Sequence, residues 1–163
     1  MRAIFLILCA VLLNGCLGMP ESVKPVSDFE LNNYLGKWYE VARLDHSFER
    51  GLSQVTAEYR VRNDGGISVL NRGYSEEKGE WKEAEGKAYF VNGSTDGYLK
   101  VSFFGPFYGS YVVFELDREN YSYAFVSGPN TEYLWLLSRT PTVERGILDK
   151  FIEMSKERGF DTN

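Results

Sequence analysis

From Gly36 onward, turn-forming residues interrupt the chain about every ten positions, the rhythm of an all-β meander. No other feature limits the fold as strongly. The stretch from Ser53 to Arg62 shows the unit most cleanly. Val55, Ala57, Tyr59 and Val61 fall on one face, and Thr56, Glu58, Arg60 and Arg62 on the other. A period of two describes a half-buried strand, because successive side chains of an extended chain point to opposite faces. Asn63-Asp64-Gly65-Gly66 then supplies a hairpin turn from residues that tolerate positive φ. Further turns at 75–79, 92–97, 105–109, 117–120 and 128–130 leave strands at 36–44, 53–62, 67–74, 80–91, 98–104, 110–116, 121–127 and 133–138. Strands joined by links this short close naturally into an all-β, eight-stranded up-and-down antiparallel barrel, which removes both aggregation-prone edges. A two-sheet sandwich needs longer crossovers than these links provide.

The last segment is helical. Val143, Ile147, Leu148, Phe151, Ile152 and Met154 form an apolar stripe, Thr140 and Pro141 suit the start, and Gly159 suits the stop. A stripe this wide is expected against the outer wall of the barrel. Composition agrees with a β-rich single domain: of 163 residues, 11 are Tyr, 11 Phe and 16 Gly, against 5 Pro. The net charge of −5 is spread over interspersed acidic and basic residues, with no basic footprint for nucleic acid. Catalysis finds little support. The single histidine sits in Asp45-His46-Ser47, where neighbours on an extended chain diverge, and no Gly-x-Ser-x-Gly elbow occurs. We therefore expect no enzyme activity, no catalytic residues, no cofactor and no metal site.

Residues 1–15 have the shape of a signal peptide, with Arg2 ahead of the apolar run Ala3 to Leu13. Residues 16–27, with Pro20, Ser22, Pro25 and Ser27, read as a linker, and 28–163 as the domain. Two motifs carry family resemblances. Leu13-Asn14-Gly15-Cys16 resembles the bacterial lipobox, which implies that Cys16 becomes an N-palmitoyl, S-diacylglycerol cysteine and holds the chain to a membrane. Leu17 after the cysteine implies, by the same resemblance, the outer membrane and its periplasmic face. Gly36-Lys37-Trp38, with Asp117 in a late turn, Arg139 after the last strand and the closing helix, resembles a bacterial lipocalin over nearly the whole mature chain. In that family a short helical turn, here around Phe29, Leu31 and Leu35, plugs the closed end.

In an up-and-down barrel alternate turns share an end, so Trp38, Asp117 and Arg139 come together without any assumed contact. The resemblance lays the arginine over the tryptophan, a structural role. The loops 45–52, 75–79, 103–109 and 128–132 then form the mouth. Parity and resemblance together place Tyr108, Trp135, Val112, Phe114, Phe103 and Phe107 as ligand-binding residues of an apolar cavity with a polar-tipped rim. Ala84, Gly86, Ala88 and Phe90 share one face of their strand, and their small size fits either an open interior or bending and packing. Arg43, His46 and Arg50 stand near the mouth as solvated charges or partners of an anionic headgroup. The function this implies is a membrane-anchored lipocalin that binds and stores or transports fatty acids or lysophospholipids in the cell envelope, for membrane biogenesis or maintenance, as a monomer or homodimer. The alternative is a lipoprotein carrier or assembly factor whose aromatic mouth grips a protein partner.

Overall fold

The computed structural model describes residues 17–163; the segment expected to be a signal peptide and Cys16 lie outside the described residues. A short turn of helix, α1 (Leu31–Tyr34), precedes eight strands. They are β1 (Gly36–Arg43), β2 (Leu52–Val61), β3 (Ile67–Ser75), β4 (Glu80–Phe90), β5 (Tyr98–Phe104), β6 (Phe107–Leu116), β7 (Tyr123–Ser127) and β8 (Leu134–Ser138). Each strand pairs antiparallel with the next, and β1 pairs with β8, so the sheet closes into a barrel in sequence order. The helix α2 (Arg145–Glu157) follows.

Two apolar clusters result, one on each side of the barrel wall. The inner one gathers Phe29 and Tyr34 from the plug with Trp38, Tyr59, Ile67, Val69, Ala88, Leu99, Val113, Val126 and Leu137. The outer one lies under α2, where Phe151 and Phe160 cover Val112, Phe114, Phe125, Leu134 and Leu136. The helix begins at Arg145 and not at Thr140. The Thr140 hydroxyl donates to Thr142 O and bonds Ser138 Oγ, so residues 139–144 stay irregular and Thr140 caps nothing. Ile152 also departs from the expected stripe and is exposed. Beyond the helix, Gly159 has a positive φ, Phe160 N–H donates to Ser155 O, and the Phe160 ring stacks on Phe114.

Residues 17–27, expected as a linker, lie on the barrel as a strap. Val23 and Val26 are buried. Val26 N–H donates to Val113 O and its carbonyl accepts from Gly97 N–H, which ties the strap to β6 and to the residue before β5, and Val26 joins the inner cluster.

The closed end is organised by Arg139. Its guanidinium lies 3.8 Å from the ring centre of Trp38. It donates to the carbonyls of Lys37 (2.9 Å), Asn33 (2.9 Å), Leu35 (3.0 Å) and Tyr121 (3.2 Å). Trp38, fully buried, donates its Nε1–H to Tyr34 O at 2.8 Å. Asp117 does not touch Arg139. Its carboxylate accepts from the backbone of Glu119, Asn120 and Ser122 and from the Ser122 hydroxyl, which shapes the turn that presents the Tyr121 carbonyl. Gly36 sits beside the arginine with φ +96°, where a side chain is strained. One residue thus ties the plug, the start of β1, the β6–β7 turn and the end of β8. Replacing Arg139 by Ala removes a stacked cation and leaves carbonyls of the plug short of a donor, so we expect a loss of about 2–4 kcal/mol, read from the urea midpoint. Arg139→Lys should recover only part of it, because an ammonium can neither stack as a plane nor fork to several carbonyls.

Candidate ligand site

The lower half of the interior is apolar with a tyrosine core. Phe29, Leu31 and Tyr34 come up from the plug, and Ile67, Ala88, Leu99 and Val101 line the wall. The three hydroxyls of Tyr34, Tyr111 and Tyr59 form a chain, with Tyr34 to Tyr111 at 2.6 Å and Tyr59 to Tyr111 at 2.9 Å. Burial raises the pKa of all three, so they remain neutral and satisfy one another. The space left among these residues is about 10 Å³, room for about one water.

Above this floor stands a charged rim that sequence periodicity did not reveal. Glu40 and Arg43 are three apart, an odd spacing that puts two strand residues on opposite faces. The β1–β8 register shifts between Glu40 and Ala42, so a bulge brings both to the same face, where they pair at 2.8 Å. The loop after β1 then folds inward. Arg43 Nη2 donates to Glu49 O (2.9 Å) and Leu52 O (3.0 Å), and Trp135 Nε1–H donates to Glu49 Oε2 at 3.0 Å. His46 is buried among the rings of Phe48, Tyr133 and Trp135, with Nε2 2.7 Å from Glu49 Oε2. That contact is close but poorly aligned for a hydrogen bond, and Nδ1 has no partner among the described residues.

The two carboxyls are driven apart. Burial, followed by the neighbouring Glu49 charge, raises the Glu40 pKa to about 8 against the opposing pull of Arg43. Burial also disfavours ionised Glu49, but the close His46 contact and the hydrogen bond from Trp135 outweigh it and hold that carboxyl below its usual range. At neutral pH the rim therefore carries a protonated Glu40, an ionised Glu49 and the Arg43 cation. No group of three or more His, Cys, Asp or Glu suited to a metal occurs among the described residues.

The six residues expected to line a cavity divide. Trp135 packs against the inner cluster, and so does Phe103, which fills the space over Gly86. An added Cβ at Gly86 would stand 2.7 Å from Ser102 O and 2.8 Å from Phe103, so this glycine serves close packing. Val112 and Phe114 instead face outward, beneath the strap and α2, which corrects their expected place inside. Tyr108 is also outside, against Tyr89 and under Lys100. The reason is one of parity. β6 is apolar on both faces, so its pattern does not say which face is inner, and Tyr111 and Val113 are the residues that point in. Phe107 stands at the tip of the β5–β6 hairpin, largely exposed. Arg50 pairs with Asp45 in solvent, and Arg43 is already engaged.

The rim makes a testable link between pH and stability. Glu40 ionises near its ordinary value when unfolded but only near pH 8 when folded, so the folded state binds the extra proton between about pH 4.5 and 8. Its contribution is most favourable below that window and declines as pH rises through it. Thermal melts should show this decline, and Glu40→Gln, which keeps a neutral side chain at every pH, should flatten it.

With the geometry in place, the relatives are informative. The model of the lipocalin-like domain matches residues 29–163. The chain is 99% identical over 163 residues to the outer membrane lipoprotein Blc of Vibrio cholerae, covering 100% of this chain and 95% of that protein. It is 51% identical over 144 residues to the outer membrane lipoprotein Blc of Escherichia coli K12, covering 88% and 81%. Insecticyanin of the tobacco hornworm Manduca sexta superposes with a TM-score of 0.68 at 23% identity, over 86% of this chain and 81% of that one, and so shares the fold. The outer-membrane placement expected from the N-terminal motif agrees with the names of the bacterial relatives. The closed barrel, the arginine laid over the first-strand tryptophan and the matched domain lead to one conclusion: this chain belongs to the lipocalin family.

Proposed function

We propose that this outer-membrane lipocalin binds a single-chain lipid, a fatty acid or a lysophospholipid, inside its barrel while acyl chains on Cys16 hold it to the membrane. In this reading residues 1–15 are removed as a signal, and the domain serves envelope maintenance from the periplasmic face. The observation that carries the proposal is the division of the interior. An apolar floor around Leu99, Val101 and Ala88 lies below a rim of Glu40, Arg43 and Glu49, which suits a molecule with a long apolar tail and one polar end. Burying about 400 Å² of tail surface is worth roughly 10 kcal/mol before the entropy of binding is subtracted.

The space of about 10 Å³ among the floor residues is far too small for such a tail. Seating a tail on the floor therefore requires the side chains there to move. The rim offers a lipid carboxylate or phosphate Arg43, at the cost of displacing Glu40 from it.

Native mass spectrometry tests the proposal on the mature chain carrying Cys16→Ser, which keeps the strap residues intact. After delipidation, mixing with lysophosphatidylethanolamine or palmitate should add one ligand mass. Val101→Trp, which fills the floor, should lower occupancy by at least about tenfold, while Tyr108→Glu on the outer wall should leave it unchanged. A chain that stays empty with every lipid offered would refute the proposal.

A further inference from the structure

The rim holds more carboxyls than guanidiniums. Glu40, Arg43, His46 and Glu49 crowd one space, with side chains 7%, 19%, 4% and 8% exposed. Arg43 is the most open of the four, and its two amino ends do different work. Nη2 donates to Glu49 O and Leu52 O, which ties the guanidinium to the loop after β1. Nη1 donates to Glu40 Oε1 at 2.8 Å. Glu49 does not depend on that end, because Trp135 Nε1–H donates to its Oε2 and His46 Nε2 stands 2.7 Å from the same oxygen. Tyr59 on the adjacent strand feels the charge of both carboxyls and is kept neutral by burial. The groups that bear on Glu40 are thus Arg43 on its own strand, Glu49 with His46 on the loop, and Tyr59 of β2.

One guanidinium cannot balance two ionised carboxyls in a space this closed. The charges of Arg43 and Glu49 already offset each other, so Glu40 stays an acid at neutral pH. It can therefore leave Arg43 without stranding a buried anion, and its own O–H can donate elsewhere. An anionic group that arrives at Nη1 meets a cation and an acid O–H together, two charge-assisted hydrogen bonds. The same group beside an ionised Glu40 would meet a like charge.

We infer that the rim takes an anionic lipid head only while Glu40 carries its proton: a carboxylate or phosphodiester seats on Arg43 Nη1, and Glu40 turns from Arg43 to donate to the same head. Glu40 then sets specificity by charge, since a neutral head gains nothing from the cation. This rests on the reading that the barrel binds a single-chain lipid. The free protein holds the Glu40 proton up to about pH 8, and a bound anion makes it hold that proton more tightly. Affinity for anions is therefore full below that pH and falls as pH rises through it. Glu49 titrates below this window, because its carboxyl is held below its usual range.

Calorimetry on the delipidated mature chain carrying Cys16→Ser tests this with laurate, lauroyl lysophosphatidylglycerol and monolaurin, the first two singly charged and the third neutral. Between about pH 7 and about pH 9 the affinity for both anions should fall about tenfold, and that for monolaurin should not change. At about pH 8, runs in two buffers of different ionisation enthalpy should show about half a proton taken up per anion bound. Glu40→Gln should bind each anion with one affinity at both pH values, and the proton uptake of the unsubstituted rim decides the matter if that variant does not fold. A fall with only one of the anions upholds the inference and names carboxylate or phosphodiester as the head. Constant affinity for both anions, with no proton uptake, would overturn it. So would a fall shared by monolaurin, or one that persists in folded Glu40→Gln. No binding of any of the three lipids at either pH would refute lipid binding itself, and the inference with it.

Discussion

The guanidinium of Arg139, flat against Trp38, is the contact on which the closed end depends. A barrel of eight strands is held by its ladders, but ladders alone leave its lower opening lined with unpaired carbonyls and the edge of a large indole. Arg139 answers both needs at once. Its plane covers the ring, and its N–H groups reach carbonyls of the plug, of β1 and of the β6–β7 turn. Segments 102 to 106 residues apart in sequence are joined there. Burial lowers the arginine pKa, but the group starts so high that it remains charged. Asp117, which sequence parity placed in the same cluster, acts at one remove by fixing the turn that supplies one of the carbonyls.

The opposite end is built on a different compromise. Placing Glu40, Arg43, Glu49 and His46 inside the barrel is costly, and the structure offsets the cost by pairing, by hydrogen bonds to Trp135 and to backbone carbonyls, and by leaving one carboxyl protonated. Such an arrangement is conditional. Its protonation answers to pH, and a polar ligand group can replace its internal partners. Below it the three linked tyrosines bring hydroxyls into an otherwise apolar chamber while leaving no oxygen without a partner. The interior is therefore graded from apolar to charged along the barrel axis, and that gradient, more than the volume of any void, supports an amphiphile as its ligand.

Strand number, order, the closing helix and the meeting of Trp38 with Arg139 were legible in the sequence. They follow from local turn chemistry, from a period of two, and from the parity of an up-and-down meander, none of which needs knowledge of distant contacts. Tertiary structure decided the rest. β6 is buried on both faces, one by the barrel interior and one by α2 and the strap, so alternation disappears and Val112 and Phe114 look no different from Val113. The bulge in β1 that turns Glu40 and Arg43 to the same side carries no sequence signature, because it is set by the register against β8. Glu49 is buried by a partner 86 residues away, and a carboxylate alone reads as surface. The strap resembled a linker because its prolines and serines are the residues of solvated chain, yet its two valines find cover only once the barrel exists to provide it.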